Sequence, residues 1–206
     1  KGSLRPPTLA HLSQIPWEAS ADSTTIAGSP RSARVLGAAD SNFVSGNYIG
    51  VGAGAVGSLG NGLGVTFSSG VEVVSGVGNQ IIQNVIGGNS TGILLLPEIV
   101  GGVLSKPPVG TVIDRNLIGL SARGGGEGTE RPNEGPGILI VGAKRTRIGS
   151  EDPSSFNAIF YNGEHGVGIL IPESGDAGFR ETVIRRSLFH KNRGAAIEIR
   201  EGELRG

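Results

Sequence analysis

The feature that most constrains the fold is a stretch, residues 137–171, in which short strand-like pieces alternate with turn residues. Each piece alternates apolar and polar side chains, which is the pattern of a strand that buries one face. Gly, Ser, Asn, Asp and Pro separate the pieces, and these residues favour turns. None of the pieces can bury its apolar face alone. The stretch therefore predicts a solenoid, in which similar units stack on one another.

Two short motifs recur along the chain and set the phase of the repeat. The first, a glycine followed by an apolar-x-apolar strand, gives core positions at Val65, Ile93, Ile138, Val167 and Ile197. The steps between these positions are 28, 45, 29 and 30 residues, a spacing typical of solenoids. We expect the last four positions to form one buried ladder.

The second motif places an amide side chain just before an apolar strand. It occurs at Asn47, Asn84, Asn116 and Asn157, and Ser187 takes the same position in the last copy. Asparagine tolerates turn conformations, and its side chain can bond to an identical neighbour in a stack. The motif therefore predicts a ladder of asparagines along one corner of the solenoid.

The copies differ in two inserts at the same phase of the repeat. Residues 52–62 and 121–136 are both rich in glycine, whereas residues 88–91 join the equivalent points in the copy between them. Inserts at one phase should leave the solenoid on the same side. Since loops on a rigid scaffold commonly carry function, we interpret this side as the functional face.

The chain divides into two parts. Residues 1–23 contain three prolines and the only tryptophan, and they are interpreted as a linker or as a cap on the first copy. Residues 24–206 are predicted to form the repeat domain, in which residues 25–28 align with residues 146–149 because both read Thr-x-x-Gly.

Composition excludes several functions. The chain has no cysteine, which excludes disulfides, thiolate metal sites and cysteine nucleophiles. Its net charge is zero, so no global field favours nucleic acid. No apolar run reaches the ~20 residues of a membrane helix. The absence of methionine, with Lys1 first, suggests a processed or partial chain, and any export signal is expected upstream.

The sequence SGNYIGVGAGAVGSLGNGLGV at residues 45–65 resembles the repeat of bacterial right-handed parallel β-helix proteins, and residues 137–171 are similar to the same repeat. The resemblance covers residues 24–200 and implies an all-β fold, a right-handed parallel β-helix of about five or six coils. Such repeats occur in exported, adhesin-like surface proteins and in related carbohydrate-active enzymes. The fold alone does not choose between these functions.

An enzyme would need acid and base groups on one face of neighbouring coils. The candidates are Asp152, Glu164, His165 and Arg185. Paired carboxylates suit glycoside hydrolysis, and arginine beside a carboxylate suits proton abstraction from a uronate. Glu164 and His165 precede Gly166 as in the Gly-His-Gly motif of polygalacturonases, but the aspartate motifs of that family are missing. Asp152-Pro153 is followed by Ser154, not by the histidine of the alginate epimerase motif.

We therefore expect a structural or adhesive segment of a larger exported bacterial protein, located outside the cell or on its surface. Its contacts are expected in the second insert, at Arg123, Glu127, Glu130 and Arg131. Expected partners are other parts of the parent chain or neighbouring subunits, with polysaccharide left open; no metal and no cofactor is expected. The alternative is a fragment of a polysaccharide lyase, hydrolase or epimerase.

Overall fold

The computed structural model describes residues 25–26, 33–36, 39–52, 60–61, 68–101, 103–121, 129–172 and 181–202. These residues form 19 strands and no helix. The predicted linker or cap at residues 1–23 lies outside the described residues. The strands are β1 Thr25–Ile26, β2 Ala33–Leu36, β3 Phe43–Ser45, β4 Tyr48–Ile49, β5 Ser69–Val74, β6 Gln80–Ile82, β7 Val85–Ile86, β8 Thr91–Leu96, β9 Ile99–Val100, β10 Val103–Leu104, β11 Val112–Asp114, β12 Leu117–Ile118, β13 Ile138–Val141, β14 Arg147–Ile148, β15 Asn157–Phe160, β16 Val167–Pro172, β17 Val183–Ile184, β18 Ser187–His190 and β19 Ile197–Gly202.

The strands form three parallel sheets that the chain visits in turn. Sheet 1 has the order β1-β4-β7-β12-β15-β18, sheet 2 the order β2-β5-β8-β13-β16-β19, and sheet 3 the order β3-β6-β11-β14-β17. One passage through the three sheets is called a circuit below. Within each of these sheets, an interior strand pairs with the equivalent strands of the circuits before and after it, and the two end strands have a described neighbour on one side. This all-β architecture is consistent with a parallel β-helix or solenoid.

The core is made of aliphatic columns that run across the circuits. The predicted ladder is confirmed in its register, because Ile93 pairs with Ile138, Ile138 with Val167, and Val167 with Ile197. The first three are fully buried, and they belong to one core cluster. The expectation that Ile197 is also buried is wrong: it is 42% exposed, since the described residues place no further strand beside β19.

Two alignments made from the sequence are wrong. The position opposite Ile93 belongs to Val71 in β5 and not to Val65, so this step of the ladder spans fewer residues than predicted. The motif aligned Ile26 with Arg147. However, Thr25 pairs with Tyr48 in sheet 1, whereas Arg147 lies in sheet 3. Short apolar strands followed by glycine occur in more than one sheet, so the motif by itself does not identify the sheet.

The predicted ladder of asparagines is confirmed. The side-chain amide nitrogen of Asn47 donates to Oδ1 of Asn84 (3.1 Å), that of Asn84 to Asn116 (3.1 Å), and that of Asn116 to Asn157 (3.2 Å). Three of the four side chains are fully buried. These bonds satisfy polar atoms inside the fold at the corner that precedes sheet 1.

A second ladder, which the sequence reasoning missed, precedes sheet 2. Its members are Asn61, Asn89, Asn133, Asn162 and Asn192, and each donates its amide to the next at 2.8–3.2 Å. The ladder fixes the turns from which the strands of sheet 2 begin. It therefore also fixes any side chain carried on these turns.

The two predicted inserts both connect sheet 1 to sheet 2, since one lies between β4 and β5 and the other between β12 and β13. The prediction that both inserts leave the solenoid on the same side is confirmed for the strands that flank them. The second insert is shorter than predicted, because residues 129–136 belong to the stack: Ser121 N–H donates to Thr129 (2.8 Å), and Asn133 is fully buried. Residues 53–59 and 122–128 lie outside the described residues.

One further excursion, between sheets 2 and 3, was not predicted. β9 and β10 pair in antiparallel fashion, with Val103 opposite Val100 and Leu104 opposite Ile99. Backbone bonds between Glu98 and residues 105–106 close its base. No helix among the described residues is long and apolar enough to cross a membrane.

Candidate functional site

The outer face of sheet 2 carries a groove. Leu94, Leu139, Gly168 and Glu198 lie in one register column and alternate along their strands with the core residues of the ladder. Because successive side chains of a strand point to opposite faces, this column lies on the outer face. Leu170 adds to the apolar floor, and the groove has a volume of about 450 Å³. Gly168 has no side chain to fill it.

Polar residues line the edge where the strands of sheet 2 begin. Glu134, Glu164 and His165 stand on the turns that follow the second asparagine ladder. The turns approach each other closely: Gly163 N–H donates to the carbonyl of Asn133 (2.8 Å), and Gly194 N–H to that of Glu164 (2.8 Å). A Cβ at Gly194 would lie 2.5 Å from Nδ1 of His165, so a glycine is needed there.

Both ring nitrogens of His165 have partners in the last circuit. Nδ1 accepts a hydrogen bond from the backbone N–H of Ala195 (3.0 Å), and Nε2 lies 2.5 Å from Oε2 of Glu198. An accepting Nδ1 carries no proton, so the ring proton is assigned to Nε2, which donates to the carboxylate. Arg200 holds the other oxygen of Glu198 at 2.7 Å. His165 thus connects two circuits and leaves neither nitrogen for a ligand.

The three carboxylates of the groove are in different states. Glu198 is held by His165 and Arg200, and Glu134 has polar partners of its own. Glu164 is exposed, and its carboxylate makes no hydrogen bond or ion pair with any described residue. Among the described residues, no group of three or more histidine, aspartate or glutamate side chains is placed to hold a metal ion.

The structure does not bring the four predicted catalytic residues together. Glu164 and His165 line the groove, whereas Asp152 and Arg185 lie at the corner between sheets 3 and 1. There Arg185 forms an ion pair with Glu151. Hydrogen bonds from the backbone N–H of Ser154 and from its hydroxyl lower the pKa of Asp152, so this aspartate is the acceptor of a local turn.

The predicted binding residues lie away from the groove or outside the described residues. Glu130 and Arg131 are half-buried at the base of the second insert, where the backbone of Glu130 forms an antiparallel β-bridge with that of Leu120. The N–H of Arg131 donates to the carbonyl of Gly119 (2.9 Å). Their backbones thus close the insert. Arg123 and Glu127 lie outside the described residues, so a binding role for the insert stays a prediction.

Sequence reasoning missed Glu198, Glu134 and Arg200 as members of the groove. The signal that could have found them is register. Glu198 is two strands from Leu139 in a column of sheet 2, and the repeat phase of Ile138 and Ile197 already placed the residues that follow them in one column. The same phase aligned the turns that carry the rim.

Comparison with known proteins adds no relative: no family model, no curated protein and no solved structure matches this chain.

Proposed function

We propose that the chain is a right-handed parallel β-helix of about five or six coils and serves as a structural or adhesive segment of a larger exported bacterial protein. Three parallel sheets visited in turn and two asparagine ladders support the fold. Right-handedness follows from the strong preference of parallel crossovers for that hand. The proposed place is the cell surface or outside the cell. The proposed partners are neighbouring subunits, other parts of the parent chain, or a glycan.

The main support for this proposal is that both ring nitrogens of His165 are already engaged in polar contacts. A general base must reach the proton that it removes. Here Nδ1 accepts from Ala195 and Nε2 is engaged with Glu198, whose second oxygen is held by Arg200. The arrangement joins strands of neighbouring circuits, which is what a scaffold requires. Separation of Asp152 and Arg185 from the groove also removes the four-residue acid-base group that an enzyme would use.

The second candidate is a polysaccharide-active enzyme. The observation in its favour is the groove itself: its volume of about 450 Å³ is that of ordinary ligand sites, and it exposes Glu164, whose carboxylate has no partner among the described residues. In this reading Glu164 is the acid or base, and His165 holds the last circuit in place.

Turnover assays distinguish the two candidates. The 206-residue chain is incubated with pectin, with alginate and with neutral glycans, and unsaturated products and reducing ends are measured. We expect no turnover, whether or not a glycan binds in affinity electrophoresis. Turnover that is lost in Glu164→Gln and kept in Asp152→Asn, the matched control at the distant corner, would replace the scaffold proposal by the enzyme.

A further inference from the structure

The hairpin of β9 and β10 exposes aliphatic side chains on both of its faces. Ile99 is 56% exposed, Val100 57% and Val103 67%, and Leu104 is half-buried. Residues directly opposite in an antiparallel pair share a face, so Ile99 and Leu104 form one face and the two valines the other. No charged residue lies between Glu98 and Lys106, which pair at 4.0 Å across the base.

This arrangement is unusual for a hairpin in water. Antiparallel strands commonly keep one polar face toward solvent, and two strands alone are marginally stable. An exposed cluster of aliphatic side chains therefore indicates a surface that becomes covered. Because both faces are apolar, a flat partner would cover only one of them. Only a concave, apolar surface would cover both faces of the hairpin.

The groove of sheet 2 is such a receptor in the same chain. The accessible part of its floor is formed by Leu139 and Leu170, with the fully buried Leu94 beneath them, and its rim is polar. The rim includes the carboxylate of Glu164, which has no partner among the described residues, and the hairpin carries the ammonium of Lys106, whose side chain is 72% exposed. The apolar tip thus matches the floor, and in the docked state Lys106 would exchange its 4.0 Å pairing with Glu98 for the carboxylate of Glu164.

The described hairpin residues do not occupy the groove of their own chain. The groove runs from the turns before the sheet 2 strands to Leu170, the fourth residue of β16, and none of the described hairpin residues, 99–101 and 103–104, lines it. We propose that the β9–β10 hairpin of one copy docks in the outer groove of sheet 2 of a second copy. This inference rests on the proposed structural role and names its partner.

The contact joins two different surfaces, the hairpin of one copy and the groove of the next. Such a heterologous contact does not close on itself unless the rotation happens to form a ring, and it otherwise generates an open chain of subunits. Each subunit in the chain uses one hairpin and one groove. A chain of this kind suits a structural segment.

Two variants with opposite defects test the contact. Val103→Asp places a charge on the hairpin and leaves the groove intact. Leu139→Arg places a long charged side chain on the groove floor and leaves the hairpin intact. Glu164→Arg is a second groove variant, at an exposed side chain whose carboxylate has no partner in the described part of the chain, so we expect it to leave folding unchanged. Circular dichroism verifies the strand content of each variant.

Sedimentation velocity is then measured over a range of concentrations. We expect the unmodified chain to associate progressively as its concentration rises. Each variant alone should associate at least about tenfold more weakly, since a factor of ten corresponds to ~1.4 kcal/mol of lost contact. An equimolar mixture of Val103→Asp and Leu139→Arg should form a heterodimer that grows no further, because one intact hairpin meets one intact groove.

Other outcomes overturn the inference. They are an unmodified chain that stays monomeric at high concentration, variants that associate as the unmodified chain does, and a mixture that forms no heterodimer. Association that Val103→Asp abolishes without complementation, together with binding of the unmodified chain to phosphatidylcholine vesicles, would assign the hairpin to a lipid surface. A monomeric chain without polysaccharide turnover leaves the proposed scaffold role standing, so the two proposals fail separately.

Discussion

The interior circuits and the last circuit share a repeat phase but differ in burial. Ile138 and Val167 are fully buried, whereas Ile197, in the same column, is 42% exposed. Ile199, two residues further along β19, is 63% exposed, although its partner Ile169 is buried. The sequence pattern is the same in both regions. The difference is that an interior strand has a neighbour on each side, and β19 has a described neighbour on one side.

The local sequence determines the register of a strand, whereas the stacking of circuits determines how deeply its side chains are buried. Alternation and turn residues set the register, because a slip by one residue would turn the apolar side chains outward. Burial, and with it most of the stabilising free energy, comes from the neighbouring circuits. Identical residues in the two regions should therefore contribute different amounts to stability. Three measurements test this, in order of decreasing effect.

The largest effect is expected at the core column. Ile138→Ala should lower the free energy of unfolding by ~2–5 kcal/mol, because it removes a fully buried aliphatic side chain and leaves a cavity. Ile197→Ala should cost less than half as much, since Ile197 is already 42% exposed and water can enter the space. Denaturation by urea measures both variants. Equal costs would show that β19 is covered in solution.

The second effect concerns an interior position and an end position of the asparagine ladders. Asn116→Ala should cost ~1–3 kcal/mol for each polar group left unsatisfied, because its fully buried amide donates to Ile81 and accepts from Asn84. Asn192→Ala, the comparison variant in the last circuit of the second ladder, should cost only ~0.5–1.5 kcal/mol, since Asn192 is itself half-buried and its removal lets water reach the amide of Asn162.

Denaturation of the two variants by urea measures the difference. A cost at Asn192 as large as the cost at Asn116 would contradict the distinction between interior and last circuit for polar contacts. It would leave the distinction standing for the apolar column alone.

The fold could largely be read from the sequence, and the failures have physical causes. The motifs at Ile93, Ile138 and Val167 gave the correct register, because each strand begins after a turn that its own residues specify. Val65 was wrongly placed opposite Ile93, because Val71 offers the same alternation a few residues later. Alternation identifies a strand, but the choice between two adjacent candidates depends on contacts with other circuits.

The site was less predictable than the fold. Glu164 and His165 were found because they adjoin a strong strand motif, and Asp152 and Arg185 were grouped with them because of their charge and their closeness in sequence. In a stacked fold, neighbours come from the adjacent circuit at the same phase. Glu198, about 30 residues further on, is therefore the partner of His165, and the turn residue Asp152 is not.

The smallest effect is expected where the two regions meet, at His165. Its ring bonds to Ala195 and Glu198, so it joins the turn before β16 to the last circuit. His165→Ala should lower the free energy of unfolding by only ~0–1 kcal/mol, because the side chains of the pair retain 19% and 26% of their exposure and solvent screens them. The unfolding measurement alone would hardly detect it.

Amide hydrogen exchange resolves the effect by position. In His165→Ala the N–H of Ala195 loses its acceptor and should exchange faster, whereas the N–H of Ile138, bonded to Gly166 at 3.0 Å inside the stack, should be unchanged. Glu198→Gln is the matched control: its amide oxygen still accepts from Nε2, so protection of Ala195 should persist. Equal acceleration at Ala195 and Ile138 would show that the last circuit opens together with the interior, which would remove the difference between the two regions. An unchanged rate at Ala195 would instead show that the histidine does not hold the last circuit, and that the backbone pairing of β16 with β19 is sufficient to order it.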